Sequence, residues 1–340
     1  MQNNIDHKTI STKAYVFFNR KNVEVTKNYL DVIRAALREV GYECEYITSL
    51  KGIAKNSLIV YAVGVDAFKC YLKGYHNMIL WLQGATGDES YLKHQSKIRK
   101  SVIDFMDCFV MKKAKMIFFV SYYMRQYYQK MAHANFEEKS YVMPCFNEVL
   151  NKDIFDIKDY SKKVFTYIGS LAPWQCFDET AEIYAKIEKR IPNTFFKVLT
   201  FDTVKADEII KGKNIKNYSV ACVAKEQVKS ELESATYGFI IRHDIEVNRV
   251  ATPTKISSYL SAGVLPIYSP CLKDFHAKAQ GKAFAYAQEP DGDINGLIQF
   301  INMGLNKEIV QQEIEELFGT YYSAENHTAN IVELAKSCLK

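Results

Sequence analysis

Residues 237–269, YGFIIRHDIEVNRVATPTKISSYLSAGVLPIYS, decide how this chain is read. The run 237–241 is short, apolar and rich in aromatic and β-branched residues, and it stops at Arg242, as a buried parallel strand does. A loop of about ten residues follows. Thr252 then suits an N-cap, Pro253 the first helical position, where its missing N–H costs nothing, and Gly263 a left-handed helix end. The next run, 265–269, is again a buried strand. Strand, loop, helix and strand make one βα unit of a parallel sheet.

The start of that helix presents free N–H groups and the positive end of the helix dipole. The Thr254 hydroxyl and the Lys255 ammonium lie beside them, and Arg242 leaves the strand end nearby. In open α/β sheets ligands bind outside the carboxyl ends of strands, where this loop lies. The segment therefore predicts a phosphate site. The plainer reading is ordinary helix punctuation with two solvated cations.

Working outward, both halves of the chain alternate strand and helix patterns. Strand candidates are 14–19, 43–47, 57–63, 78–82, 116–121 and 141–143, then 164–168, 195–200, 218–223, 237–241 and 265–269. Residues 26–40 form an amphipathic helix with Leu30, Ile33, Leu37 and Val40 on one face, ended by Gly41. Ile98, Val102, Phe105 and Phe109 stand at helical spacing, and another helix begins at Tyr122. Later helices are marked by Ile183, Ile187 and Ile191 before Pro192, by 225–234 and by 324–337. Residues 147–163 are polar and aperiodic, the best linker candidate. The expected fold class is α/β: two doubly wound, Rossmann-like domains facing a cleft. The domains are 1–150 and 164–320, with a linker at 151–163 and a terminal helix at 321–340 packing back on the first domain. A cleft between two such domains is a favoured ligand site.

At 340 residues, 48% of them hydrophobic, the chain can build two cores. No stretch approaches about 20 consecutive apolar residues and the polar start has no signal-peptide core, so a cytosolic protein is expected. The eight cysteines are scattered, the nearest two being Cys44 and Cys70, so no CxxC or zinc-ligand spacing exists. A net charge of +5 is concentrated between Lys93 and Lys115, which hold seven Lys and Arg against two Asp. That segment, followed by SYYMRQYYQKM, fits an anionic membrane surface or acceptor, or a solvated helix face. No nucleic-acid module is legible.

Three segments, ILWLQGATGDES, FTYIGSLAPWQCFDE and IIRHDIEVNRVATPTKISSYLSAGVLPI, resemble the GT-B glycosyltransferases, particularly the family-four-like enzymes of bacterial capsular and lipopolysaccharide synthesis. The resemblance spans almost the whole chain. It implies a nucleotide-sugar donor held by the second domain and a glycan or lipid-linked glycan acceptor held by the first. It further implies a retaining transfer, no cofactor and no obligatory metal. Residue by residue, it gives Arg242 and Lys255 to the diphosphate leaving group, with Thr254 and Ser170 beside it. Asp244, Asn248 and Ser258, with Glu246, go to the donor. Gln83 and Gly84 go to the acceptor, and Glu89 becomes the candidate base. Two departures stand out. Val250 and Ser258 occupy the places of a glutamate pair common in that family, and Ser170 and the pair Trp174-Gln175 replace its usual Arg and Lys. A sugar-nucleotide epimerase and a non-catalytic sugar-nucleotide or glycan-binding protein remain alternatives.

Other signals carry less. Asp291-Gly292-Asp293 matches a metal-binding DxD, but its setting QEPDGDING reads as a turn and cap. Residues 84–87 lack a phosphate-loop ending and no GxGxxG follows the first strand, which disfavours ATP and NAD. His243 beside Asp244 reads as a loop histidine. Trp81 and Trp174 fit sugar stacking and core packing equally.

Overall fold

The structure, a computed structural model, describes residues 12–18 and 24–339. Asn19 of the first strand candidate and the polar start, residues 1–11, lie outside the described residues. The chain divides into two compact units, each built on a six-stranded sheet.

The first unit takes residues up to 120, 125–143 and those from 324 on. Its strands are β1 (Thr12–Phe17), β2 (Tyr42–Ile47), β3 (Leu58–Tyr61), β4 (Met78–Leu82), β5 (Met116–Phe119) and β6 (Ser140–Val142). All pair parallel, in the order β2-β1-β3-β4-β5-β6. Strands β3, β4 and β5 are buried along their whole length, which is why LIVY, MILWL and MIFF run apolar without alternation. Trp81 is core, 1% exposed, its ring 5.0 Å from that of Tyr29. The helix Ala324–Cys338 belongs to this unit, packing beside the helix Glu24–Glu39, and Tyr141 Oη meets His327 Nδ1 at 2.8 Å.

Three members of the apolar stripe at 98–109 point outward, while Phe109 packs edge-on against Phe68 and Tyr71, ring centres 5.4 and 5.1 Å away. On the helix Lys97–Lys113 the buried residues are Asp107, Val110 and Met111, while Ile98 is 81%, Val102 47% and Phe105 62% exposed. Periodicity found the helix and its apolar face. The packed face is the one carrying Asp107, which meets the helix Gly64–Leu72 at its glycine: a Cβ at Gly64 would collide with the Asp107 carboxylate.

The second unit takes residues 121–124 and 144–323. Its strands are β7 (Lys163–Ile168), β8 (Thr194–Leu199), β9 (Tyr218–Ala221), β10 (Tyr237–Ile240), β11 (Leu265–Tyr268) and β12 (Tyr286–Ala287). The order is β12-β11-β10-β7-β8-β9, all parallel, so the chain winds out from β7 through β8 and β9, then returns to its other side at β10. The strand direction of winding reverses between β7 and β10, and crevices form at such switch points. The two-residue β12 is too short for a sequence signal. The helix predicted through Ile191 ends earlier, as Phe177–Glu188.

Residues 151–163 are anchored to this unit. Ile154 and Phe155 are buried in the short helix Ile154–Ile157, and the buried Lys158 ammonium donates to the carbonyls of Leu232, Glu233 and Ala262 at 3.3, 3.2 and 2.7 Å. It thereby caps the ends of the helices Lys225–Glu233 and Thr254–Ser261.

Candidate functional site

Two loops leave the carboxyl ends of β7 and β10 on either side of the switch point. The first begins at Gly169, whose φ of +132° is glycine territory. A side chain there would collide with the Lys255 ammonium, so glycine also clears space for that cation. The second loop begins at Arg242, whose N–H donates to Ser269 Oγ at 2.9 Å.

The helix Thr254–Ser261 is set over the switch point by Tyr259. The Tyr259 hydroxyl accepts from Ile168 N–H at 3.2 Å and donates to Phe239 O at 3.4 Å, touching both strands. Its ring lies on Gly238, where any Cβ would collide with it. Pro253 is the N-cap, one residue later than the expected Thr252, and the Thr252 hydroxyl instead accepts from Cys145 N–H at 2.9 Å. Gly263 has the left-handed φ, +64°. Among the described residues nothing accepts the N–H of Thr254 or Lys255, as expected for a first helical turn.

Arg242 is 3% exposed and donates to Ile241 O at 2.6 Å, to Gln175 O at 2.9 Å and to Gln175 Oε1. Lys255 Nζ donates to the same Gln175 Oε1 at 2.6 Å and lies 4.9 Å from the centre of the Tyr167 ring. Burial lowers the pKa of Arg242, and burial together with Arg242 pushes that of Lys255 well below the usual lysine value. No carboxylate pairs with either cation among the described residues. A buried guanidinium and a half-buried ammonium thus share one neutral oxygen, beside a helix start with free N–H groups. Such an arrangement is completed by an anion.

Arg242 and Lys255 come together around Gln175; Thr254 precedes Lys255 at the same helix start, and Ser170 follows Gly169, which lies against the Lys255 ammonium. Ser170 is exposed, with its carbonyl accepting from Tyr167 Oη at 2.7 Å. The remaining donor-side candidates are spent elsewhere. Asn248 is buried with its amide on His243 O at 3.0 Å, inside a short helix, Glu246–Arg249, that breaks the expected open loop. Asp244 and Glu246 both bind Arg249, at 2.6 Å each, and the Arg249 hydrogen bond holds the Asp244 carboxyl below its usual pKa. Ser258 is 8% exposed, its hydroxyl bonded to Asn147 Oδ1 at 3.0 Å.

Sequence reasoning passed over two residues. Gln175, in sequence only one of the Trp174-Gln175 pair that replaces a family cation, is the acceptor that gathers both cations. His243 pairs through Nε2 with Glu179 Oε1 at 2.5 Å, a partner 64 positions away that no local pattern announces. Asp291-Gly292-Asp293 is a turn: Gly292 N–H donates to Glu289 O at 3.2 Å, and Asp293 accepts from Asn295 N–H at 3.1 Å before the helix Asn295–Asn302.

In the first unit, Gln83 is exposed after β4, its Nε2 on Ala62 O at 3.2 Å. Glu89 lies in the first turn of the helix Thr86–His94, and a Cβ on Gly84 would strike its carboxylate. Tyr128 Oη donates to Gly84 O at 3.1 Å and lies 3.4 Å from Asp107 Oδ2. Asp107 is fully buried, and burial pushes its carboxyl up to about 7.

No family model matches the chain, and neither does any curated protein. Solved structures do. Anabaena HepE, crystallised with UDP and glucose, superposes with a TM-score of 0.68 at 11% identity, over 96% of this chain and 100% of that one. The lipopolysaccharide outer core galactosyltransferase WaaB gives 0.61 at 11% identity, over 96% and 99%. A mutant of S. aureus TarM, in complex with fondaparinux, alpha-GlcNAc-glycerol and UDP, gives 0.62 at 12% identity over 84% of this chain, which spans 56% of that longer protein. Two parallel six-stranded sheets flanked by helices, matched along nearly the full length of HepE and WaaB, give this chain the GT-B fold.

Proposed function

We propose that the chain is a glycosyltransferase that takes its sugar from a nucleoside diphosphate donor, with UDP as the leaving nucleotide. The observation that carries this is the pair Arg242 and Lys255, a buried and a half-buried cation sharing the neutral Gln175 oxygen at the start of the helix Thr254–Ser261. Cleaving a glycosyl phosphate bond builds negative charge on the departing phosphate, and fixed cations there stabilise the transition state more than the ground state. Charge supplied by side chains supports transfer without an obligatory metal or cofactor. Thr254 and Ser170 complete the phosphate cradle. UDP bound to HepE and TarM supports the choice of nucleotide.

The acceptor is a glycan or lipid-linked glycan of a bacterial surface polysaccharide, the anomeric configuration is retained, and Glu89, with Gln83 and Gly84 beside it, is the candidate base. WaaB, a lipopolysaccharide galactosyltransferase, supports that acceptor class. The protein works in the cytoplasm at an anionic membrane face. No described helix is long and apolar enough to cross a membrane. The helix Lys97–Lys113 instead offers Ile98, Val102 and Phe105 to the outside among Lys97, Arg99, Lys112 and Lys113, an apolar and basic face suited to lying in a headgroup layer.

Calorimetry with UDP, GDP, dTDP, CMP, ADP and NAD tests the donor site. Binding of UDP that weakens at least roughly tenfold in Lys255→Ala supports it. Equal binding by the folded variant refutes it. An epimerase would convert the UDP-sugar with no acceptor present, and a binding protein would release no UDP at all.

A further inference from the structure

We propose that Cys176, Glu179 and His243 form a binding site for a zinc-class divalent cation that ties the loop after β10 to the first turn of the helix Phe177–Glu188. Among the described residues these three are the group of thiol, carboxylate and imidazole whose donor atoms all lie within 4.8 Å of one another. Tetrahedral zinc, with bonds of about 2.0 to 2.3 Å, sets its ligand atoms about 3.3 to 3.6 Å apart. The cluster is therefore within small side-chain rotations of a coordination sphere. His243 Nε2 and Glu179 Oε1, now 2.5 Å apart, would open as the ring proton moves from Nε2 to Nδ1, which frees the Nε2 lone pair for the metal.

The surroundings favour an ion there. Sulfur and nitrogen donors suit zinc and exclude magnesium and calcium, which take oxygen. Thiolate and carboxylate together balance a 2+ charge, so a loaded site is neutral beside the buried Arg242. Binding releases the Cys176 thiol proton to solvent and makes one metal–sulfur bond, with no change of oxidation state. The thiol is also held in place at a backbone cost: Cys176 has φ 50° and ψ 50°, a left-handed conformation that glycine adopts freely and cysteine rarely does. Strained positions of this kind are where functional side chains are found. The His243 backbone N–H faces the same sulfur, and solvent water would take the fourth position. The cysteine spacing hid this group, because its other ligands are not cysteines.

The test is titration of the reduced, metal-stripped full chain with Co2+, followed by Zn2+ competition. One equivalent of Co2+ should give tetrahedral d–d bands and a thiolate-to-cobalt charge-transfer band that Zn2+ abolishes. Cys176→Gly, whose backbone accepts the left-handed turn, should lose the charge-transfer band while staying folded. His243→Ala, at a half-exposed side chain, should weaken the ion by more than roughly tenfold. Cys222→Ser, at an exposed thiol, should change nothing. Absence of the band in the wild-type protein, or its survival in Cys176→Gly, overturns the proposal.

Discussion

Replacing Gln175 with glutamate would put a carboxylate where one neutral oxygen now serves two cations. Lys255 Nζ is 2.6 Å from that oxygen, and Arg242 reaches it as well. In the unliganded protein the change supplies the missing countercharge, so Gln175→Glu should melt higher than wild type. For a nucleotide the same change is adverse. A phosphate oxygen on the open side of the Lys255 ammonium would stand about 5 Å from the new charge, given charge-assisted contacts of about 2.8 Å on both sides. At an effective dielectric of about 20, one unit of phosphate charge at that distance is repelled by about 3 kcal/mol, roughly a hundredfold in Kd. Calorimetric titration with UDP and a melting curve without it are the assays. The two shifts should be opposite, with the protein stronger and the ligand weaker. UDP binding unchanged within roughly threefold would refute the assignment of Arg242 and Lys255 to phosphate. A lower melting point would refute the view that these cations lack a countercharge.

Asp107, with its carboxyl pushed up to about 7, binds a proton in the folded state that the unfolded chain releases near pH 4. Stability should therefore fall as pH rises from about 4 to about 7, and Asp107→Asn should flatten that slope, by at most about 4 kcal/mol across the window in pH-dependent urea unfolding. Lys158→Met should cost about 1 to 3 kcal/mol, read by the same unfolding, because three carbonyls at helix ends lose their donor. Ile98→Ser with Phe105→Ser should reduce sedimentation with anionic vesicles while leaving UDP affinity unchanged; equal sedimentation would remove the helix Lys97–Lys113 as the membrane face. Added Mg2+ or Mn2+ should leave UDP affinity unchanged in calorimetry, since Arg242 and Lys255 already supply the charge, and a large gain with either ion would contradict that assignment.

What the sequence disclosed and what it withheld divide along the range of the interactions. Buried parallel strands announce themselves because both faces are covered, so runs such as MILWL and YGFI are apolar at every position, and the winding order follows from alternation with helices. The approach of Arg242 to Lys255 was legible for a similar reason: a strand end and a helix start are local features with fixed places in a βα unit. Thr252 was misplaced as a cap because its hydroxyl had a second suitor, Cys145 N–H, from 107 positions away. The stripe Ile98, Val102 and Phe105 has the right period for a core face, but period alone does not say which side meets the sheet. The side that packs is the one where Asp107 meets Gly64. Gln175 is the clearest case. A neutral side chain carries no charge signature, so its role appears only when two cations arrive from segments 67 and 80 positions away. On the proposed reading, the opening for an anion lies in the neutrality of that residue, since an acid there would complete the pair and close it to phosphate.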